Sequence, residues 1–421
     1  MSDRDLSEIR HDGMVACHEC DAVHRLEPLE PGSKALCTRC GSLLFREPSG
    51  GIDRPLALAA SALGLFLLAN LMPFIALKIE GRVEENLVIS GVFALWRYGM
   101  PELSILVFLT SVLFPLLIIV GLLWLLVPLR FGVPAPGAGV VVRVMQGLSP
   151  WALLSVFMLG FLVAFVKLMD MATVVPGISM FAFAGLVLAI TAAVASFDIS
   201  LLWPRMGPPV PNGSAEATAS ELGMVSCHTC TLLQTQPPAG EHKQCPRCSA
   251  PVHANRKTNS IARTWALVVS AGILIIPANV YPVMTVIRFG QGDPSTILGG
   301  VVQLIAEGMW GLAMIIFFAS IVVPVMKLTL LVYLLVSVQR KSNWRKRDRT
   351  RLYRITEVVG AWSMVDIFLV GILSALVNLQ ALATIEPGIG ATYFGAVVII
   401  TMFAAQSFDP RLIWDNAGTR T

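Results

Sequence analysis

The eight cysteines of this chain form four Cys-x2-Cys pairs, which fall into two groups of two pairs. The two pairs of a group are separated by 16 residues (21–36) in the first group and by 14 residues (231–244) in the second. Four thiolates at such a spacing are typical of tetrahedral zinc sites in small zinc-ribbon modules. We therefore predict two structural Zn²⁺ sites. The ligands are Cys17, Cys20, Cys37 and Cys40 in the first site, and Cys227, Cys230, Cys245 and Cys248 in the second.

Other uses of the cysteines compete with zinc. Rubredoxin-like iron takes the same four sulfurs and remains an alternative. Disulfides need an oxidising compartment, and a thioredoxin-like motif needs a βαβ context that the roughly 25 residues around each pair cannot provide. His18 and His228 lie inside the first pair of each site, but four sulfurs already complete a closed structural site. We expect neither histidine to bind the metal, and we expect no catalytic metal.

The cysteine pattern belongs to a duplication of the whole chain. Residues 17–203 return as residues 227–414 at a nearly constant offset. Asn70-Leu-Met-Pro73, for example, returns as Asn279-Val-Tyr-Pro282. Further matched pairs are Gly99 with Gly308, Pro115 with Pro324, Trp151 with Trp362, Pro176 with Pro387 and Trp203 with Trp414.

The composition indicates an integral membrane protein. Hydrophobic residues make up 55% of the 421 residues, charged residues only 14%, and the mean hydropathy is +0.71. Several apolar runs exceed the roughly 18 residues that cross a bilayer. The formal net charge of +4 is too small to suggest nucleic acid, and we expect no such partner.

We predict an all-α polytopic fold with eight spans, four in each copy. A re-entrant segment at one of the proline-interrupted runs would change this number. The predicted spans of the first copy are Pro55–Leu77, Leu103–Leu129, Ser149–Met171 and Ile178–Leu201. Those of the second copy are Ile261–Ile287, Gly308–Val338, Glu357–Ala383 and Ala391–Phe408.

These elements divide the chain into six parts. A zinc ribbon in residues 1–50 precedes a four-helix transmembrane domain in 51–203, and 204–221 is a linker rich in Pro, Gly, Ser, Ala and Thr. A second zinc ribbon (222–258), a second four-helix domain (259–414) and a tail (415–421) follow.

The distribution of charge predicts the orientation. Because four spans are an even number, both copies insert the same way round. The stretch Arg340–Arg354 holds eight basic residues against the single acid Asp348, and such short basic loops stay in the cytoplasm. We therefore expect both zinc ribbons and both termini to be cytoplasmic. The polar stretch Met1–Gly13 is no secretory signal peptide.

Charged residues inside predicted spans are the other candidate site. Lys167 and Asp170 share a helix face at a spacing of three residues. They either mark the outer end of their span and reach the headgroups, or form a buried ion pair that lines a cavity. Lys327 follows Pro324 well inside an apolar run, so it is the stronger functional candidate. Asp366 lies two to three turns into the seventh span.

Two asparagines complete the set of polar candidates inside the predicted spans. Asn70 and Asn279 each precede a proline by three residues. Since proline frees the carbonyl four residues earlier, we expect these amides to support the helix. Pro115 and Pro324 are expected to kink their helices.

The charged candidates differ between the copies. The counterparts of Lys167, Asp170 and Lys327 are Asn378, Ala381 and Ile118. This difference favours one ion- or proton-responsive centre at the interface of the copies.

Motifs of enzymes are missing from the sequence. It has no Gly-x4-Gly-Lys-Ser/Thr phosphate loop, no Gly-x-Ser-x-Gly elbow and no His-Glu-x2-His helix. We therefore predict that the protein is not an enzyme.

Taken together, the two cysteine modules, the four helices after each, Asn-x2-Pro in each first helix and Ser-Phe-Asp at the end of each copy resemble the paraquat-inducible protein A family, including its lipophilic-envelope-spanning branch. The resemblance implies an inner-membrane partner of periplasmic MCE-domain tunnel proteins, which passes phospholipid to or from the tunnel. Two alternatives stay open: a membrane scaffold or sensor that recruits partners through its zinc ribbons, and a proton-driven exporter of small molecules.

Overall fold

The fold is mostly helical, and its elements repeat. The computed structural model describes residues 14–25, 29–30, 32–46, 50–79, 82–169, 173–198, 201–203, 217–238, 243–252, 256–257, 259–288, 291–376 and 383–415. The order of helices and strands in residues 53–196 returns in residues 260–407. The duplication seen in the sequence is therefore also a duplication of structure.

Each cysteine module consists of two short antiparallel hairpins. We call residues 14–46 module 1 and residues 224–252 module 2. Module 1 contains β1 (Met14–Ala16), β2 (Val23–Arg25), β3 (Lys34–Leu36) and β4 (Leu43–Arg46). Module 2 contains β8 (Met224–Ser226), β9 (Leu233–Thr235), β10 (Lys243–Gln244) and β11 (Pro251–Val252).

The first copy continues with seven helices and three strands among its described residues. The helices are α1 (Asp53–Leu71), α2 (Ser90–Arg97), α3 (Pro101–Phe108), α4 (Phe114–Arg130), α5 (Ala138–Leu148), α6 (Leu154–Met169) and α7 (Ile178–Ser196). The strands are β5 (Ile75–Ile79), β6 (Arg82–Asn86) and β7 (Thr173–Pro176).

The second copy has the same series and one more short helix. The helices are α8 (Ser260–Val280), α9 (Ile297–Ala306), α10 (Trp310–Phe317), α11 (Val323–Gln339), α12 (Lys346–Val359), α13 (Val365–Leu376), α14 (Ile389–Ser407) and α15 (Leu412–Asp415). The strands are β12 (Met284–Arg288), β13 (Gln291–Ser295) and β14 (Ala383–Pro387).

The two three-stranded sheets correct the all-α prediction. In each copy a central strand pairs antiparallel with two neighbours, in the orders β6-β5-β7 and β13-β12-β14. We expected Pro55–Leu77 and Ile261–Ile287 to be continuous helices, but α1 ends at Leu71 and α8 at Val280. The physical reason is Pro73 or Pro282, since a proline forces the residue before it out of the helical region. The chain then continues as a strand.

Other predicted span boundaries also shift. The third span was predicted from Ser149, but Ser149–Trp151 forms a 3₁₀ turn and α6 begins at Leu154. The equivalent turn in the second copy is Gly360–Met364. The helices α5 and α12, which precede these turns, and the short helices α2 and α9 lie in regions that we had interpreted as loops.

The helices around Pro115 and Pro324 are disturbed, as expected, and the disturbance is a π-helical turn. Leu109–Leu113 and Phe318–Val322 each adopt π geometry just before the proline. A wider turn relieves the clash between the proline ring and the preceding carbonyl. The two turns occupy matching positions of the repeat, so both copies accommodate the proline with the same local geometry.

Among the residues that the structure describes, seven helical segments are long and apolar enough to cross a membrane. They run over residues 53–71, 101–130, 138–166, 178–196, 260–280, 310–339 and 389–407. In the seventh predicted span, Glu357–Ala383, the described helix α13 covers only Val365–Leu376.

Helix α13 joins the two copies. Within each copy the first and last helices pack as a pair, α1 with α7 and α8 with α14. Between the copies, α13 packs against α6 and α2 of the first copy. Glycines permit this close approach: the Cα of Gly160 faces Phe368, and the Cα of Gly91 faces the carbonyl of Gly371.

The modules and the sheets lie at opposite ends of the helices. Helix α1 begins close to module 1 and leads directly into β5, while α7 leaves β7 and ends where Arg46 of module 1 donates to the Ala195 carbonyl (3.2 Å). We call these two ends the module side and the sheet side. The basic helix α12 lies against module 1, so it also belongs to the module side.

Candidate metal centres and intramembrane charges

The four cysteine pairs have one common backbone geometry. In each pair, the amide of the residue after the second cysteine donates to the carbonyl of the first cysteine, at 2.8 or 2.9 Å. That following residue has a positive φ in every case: Asp21 (62°), Gly41 (75°), Thr231 (57°) and Ser249 (54°). Such a turn directs both sulfurs of a pair to one side, where the other pair of the module meets them.

The sulfurs fit a tetrahedral metal. Within each module the four Sγ atoms lie within 4.8 Å of one another, and all eight cysteines are buried. The facing sulfurs are 3.6 Å apart for Cys17 and Cys40, and 3.5 Å apart for Cys227 and Cys248. A zinc–sulfur bond of about 2.3 Å implies sulfurs about 3.8 Å apart. Both clusters could therefore hold a metal ion.

The acidity of the thiols points in the same direction. Hydrogen bonds with neighbouring sulfurs, together with burial, raise the pKa of Cys20 and of Cys230. Four buried thiolates are therefore unfavourable without a compensating charge. A bound cation would supply that charge at the centre of each cluster.

Polar side chains surround the first cluster. Ser42 Oγ lies 2.9 Å from Cys17 Sγ, and His24 Nε2 lies 3.2 Å from Cys37 Sγ. From helix α12, the Arg354 guanidinium donates to the carbonyl and the sulfur of Cys40, at 3.2 and 3.7 Å. Hydrogen bonds to thiolate sulfur orient metal ligands and spread their charge.

Arg354 also pairs with an acid inside the first cysteine pair. Its Nε lies 2.8 Å from both carboxylate oxygens of Glu19, and Glu19 is 5% exposed. Hydrogen bonding to Glu19 raises the pKa of Arg354 above its ordinary value. Module 1 is therefore attached to the second copy through a partly buried, bidentate ion pair.

Module 2 has the opposite attachment, to the first copy. The Gln146 amide of α5 donates to the Thr229 carbonyl (3.3 Å), and a Cβ on Gly139 would collide with the carbonyl of Cys248. The two modules also contact each other, since Ala16 and Val23 of module 1 lie in one apolar cluster with Met224 and Leu233 of module 2. Each module is thus docked on the helix that precedes the 3₁₀ turn of the other copy.

Lys327 is buried deep in the helices. Its side chain is 2% exposed, and a Cβ on Gly360 would lie 2.5 Å from its Nζ. Within the part of the chain that the structure describes, the ammonium group has no hydrogen-bond or ion-pair partner. Lys327 lies roughly 18 Å from the end of α11 at Gln339, at 1.5 Å per residue. Gly360 provides the space that a lysine at this depth needs.

Two of the other predicted charges belong to helices that pack together between the copies. Lys167 is in α6 and Asp366 is the second residue of α13, the two helices that pack together between the copies. Their side chains are outside the described part of the structure, and Asp170 is outside the described residues altogether.

The asparagines bond to the backbone, although not at the expected carbonyl. Asn70 Nδ2 donates to the Phe66 carbonyl (2.9 Å), and Asn279 Nδ2 donates to the Ile275 carbonyl (2.8 Å). In the first copy, the carbonyl that Pro73 frees is that of Ala69, and Ser179 Oγ of α7 donates to it at 2.5 Å. The sequence analysis missed Ser179 because this contact joins two distant helices.

Glu19, Arg354 and Gly360 are three further residues of these sites that were not recognised from the sequence. An acidic residue inside the first pair, Cys-His-Glu-Cys, was the available signal for Glu19. Arg354 was one basic residue among eight in its stretch, with nothing local to distinguish it. Gly360 has Ser149 as its counterpart in the first copy, where Ile118 replaces Lys327.

The fold and the clusters define a duplicated multi-pass membrane protein with two four-cysteine modules packed on its own helices. The family model described as paraquat-inducible protein A matches residues 52–207 and 261–418, once in each copy. The chain belongs to the paraquat-inducible protein A family.

Known relatives cover nearly the whole chain. The "Intermembrane transport protein PqiA" of Escherichia coli (strain K12) is 35% identical over 96% of this chain and 95% of its own. The "Lipophilic envelope-spanning tunnel protein A" of the same organism is 28% identical over 95% of this chain and 90% of its own. A "Probable intermembrane transport protein" of Haemophilus influenzae is 27% identical, with 95% of each chain covered. No solved structure matches.

Proposed function

We propose that this protein is the inner-membrane subunit of a system that moves phospholipid between the two membranes of a Gram-negative bacterium. The observation that carries the proposal is its full-length similarity to proteins named for intermembrane transport and for an envelope-spanning tunnel. Those relatives are named as transport proteins, in agreement with the prediction that the chain is not an enzyme. Its duplicated membrane helices suit a transporter.

In this proposal the module side faces the cytoplasm and the sheet side faces the periplasm. The basic residues of Arg340–Arg354 lie on the module side, in keeping with the positive-inside rule. The two three-stranded sheets then face the periplasmic MCE-domain tunnel protein, which we propose as the partner. Eight spans, with α13 as part of the seventh, are needed for both copies to insert the same way.

The lipid path in this proposal runs along the interface of the copies. A cavity there, lined by Phe74, Phe157 and Phe368, has a volume of about 20 Å³. That is space for about one water molecule, so a lipid chain can enter only if α13 moves away from α2 and α6. Lys167 and Lys327 would then hold a phosphate or relay protons with Asp170.

We propose Zn²⁺ as the metal and a structural role for both sites. Four sulfur ligands leave no open coordination position, and modules of this size need the metal to fold. Metal analysis of the purified protein tests this: two zinc ions per chain are expected. Iron in their place would support the rubredoxin-like alternative.

The structure bears on the scaffold alternative. Residues of the modules that could meet a cytoplasmic partner, such as Glu19 and Cys248, are instead covered by α12 and α5 of the same chain. For the exporter alternative, no observation of the described residues favours a small molecule over a lipid.

The decisive experiment measures delivery of phospholipid. Vesicles that contain the full-length protein and a labelled phospholipid are mixed with an MCE-domain tunnel protein, and label on the tunnel is measured. We expect the Lys327→Met variant to lose most of the transfer and the matched Ile118→Met variant to keep it. Transfer that is independent of the protein, or proton-driven drug efflux without transfer, would contradict the proposal.

A further inference from the structure

A cavity opens on the module side of the first copy. It has a volume of about 360 Å³ and lies between β4 of module 1, the start of α1 and the end of α7. Arg46, Arg54 and Asp198 bring two guanidinium groups and one carboxylate to its wall. Leu43 and Val194 add apolar surface. Asp53 and Arg130 form an exposed ion pair near the start of α1 (2.7 Å), which indicates the polar layer beside the membrane.

The second copy shows what normally fills this place. There, Ser260 Oγ donates to the Ser407 carbonyl (2.7 Å) and accepts from the Asp409 amide (3.0 Å). Lys257 closes the remaining gap, since its Nζ donates to the Gln406 carbonyl (2.5 Å). In the second copy, therefore, the first turn of α8 seals the end of α14.

The first copy lacks this seal because its helix begins later. Counting from Asn70 and Asn279, Ser260 matches Gly51, yet α1 begins only at Asp53. Gly51 has φ +53° and a Cβ on it would meet nothing within 4 Å. The hydroxyl that binds the helix end in the second copy is thus replaced by open space. One hydrogen bond of Lys257 has an equivalent in the first copy. Arg46 donates to the Ala195 carbonyl, which matches the Gln406 carbonyl of the second copy.

We propose that this cavity is a binding site for a phosphate ester, and in particular for a phosphoethanolamine group. Arg46 and Arg54 already hold contacts within the protein, which fixes them at the wall. A guanidinium group carries five N–H donors, more than one contact consumes, and it suits phosphate oxygens. Asp198 suits the amine of the same headgroup. The ligand is either a phospholipid of the inner leaflet or a soluble phosphate ester.

A binding experiment distinguishes these two sources and does not depend on the transport function. The purified full-length protein is titrated with glycerophosphoethanolamine and with lysophosphatidylethanolamine, which share a headgroup and differ in the acyl chain. Native mass spectrometry measures the affinity of each. Equal affinities identify a soluble ester as the ligand, while tighter binding of the lysolipid identifies a membrane lipid.

Variants test the site itself. We expect Arg54→Gln to weaken binding about tenfold or more, since it removes a charged hydrogen-bond donor. The matched variant Arg263→Gln, at the same position of α8, should bind like the natural protein. Val194→Trp keeps both arginines but fills the cavity from a wall position that is 41% exposed, and it should abolish binding. Unchanged affinity in Arg54→Gln and Val194→Trp, an equal loss in Arg263→Gln, or no binding by the natural protein would overturn the proposal.

Discussion

At the scale of single residues, Arg354 connects the first cysteine cluster to the membrane helices. It contacts the sulfur and the carbonyl of Cys40, and the acid between the first two cysteines. Under the proposed zinc assignment, a side chain that supports metal ligands in this way contributes to affinity without touching the metal. The same contacts hold module 1 on α12, so the cysteine cluster and the helix stabilise each other.

Replacing Arg354 should therefore loosen the first metal. We expect Arg354→Gln to lower the zinc affinity of one site by about tenfold or more. The control is Arg351→Gln, whose exposed side chain pairs with Asp348 on the same helix. A chromogenic chelator that follows zinc release from the purified protein gives the measurement. Release from both variants at the rate of the natural protein would contradict the role of Arg354.

Asp409 predicts a dependence on pH. Although burial raises its pKa, hydrogen bonds from Arg411 and the charge of Arg411 outweigh this effect, and the pKa lies below its usual range. A carboxylate with a lowered pKa stabilises the fold above its unfolded pKa of about 3.9, and this contribution disappears as the pH falls further.

Asp409→Asn should accordingly cost about 1.5–3 kcal/mol at neutral pH, the range for hydrogen bonds to charged groups. Thermal unfolding between pH 3 and pH 7 measures this, and the difference from the natural protein should narrow below about pH 4. Asp198→Asn, at the matching position of the first copy, is the control and should cost less because Asp198 is only partly buried. A constant difference across the pH range would show that the charge of Asp409 is not responsible.

The residues that could be predicted from sequence are those whose chemistry is local. The eight cysteines were found because zinc ligands recur at fixed short spacings, and the structure does bring each set of four together. Arg354 and Glu19 could not be found in this way, because 335 positions separate them along the chain. No spacing rule reaches across such a distance.

At the scale of elements, hydrophobicity predicted which segments form apolar helices long enough to cross a membrane, but not the residues at which those helices end. Apolar residues continue past Leu71 into Ile75–Ile79, so the helix and the strand look alike in composition. Proline geometry and the pairing of β5 with β7, about 100 positions away, decide the boundary.

The interface between α6 and α13 depends on a glycine. A Cβ on Gly160 would lie 3.2 Å from both the Phe368 Cβ and the Val365 carbonyl. Gly160→Leu should therefore push the copies apart and cost about 1–3 kcal/mol, as overpacking usually does. Gly64→Leu in α1 is the control, because a Cβ there meets nothing within 4 Å. Thermal unfolding in detergent compares the two, and equal midpoints would mean that α13 does not pack on α6 as described.

At the scale of the whole molecule, the two copies are not independent domains in series. Module 1 is docked on α12 of the second copy and module 2 on α5 of the first, while the modules also contact each other. Helix α13 then packs against two helices of the first copy. The sequence showed the duplication, but the crossing of the modules depends on contacts between copies that no internal repeat reveals.

Because of this crossing, the covalent link between the copies should be dispensable once the protein has folded. We expect a protease site inserted within residues 204–216 to be cleaved without separating the halves, so that a tag on one half retains the other in mild detergent. The partly buried ion pair between Arg354 and Glu19 resists separation of the two halves, and so does the packing of α13 on the first copy. Combining Arg354→Gln with Gly160→Leu removes one contact of each kind, and this double variant should release the untagged half after cleavage. If the halves of the natural protein part as soon as the link is cut, the copies are held together by the chain rather than by the crossed modules and α13.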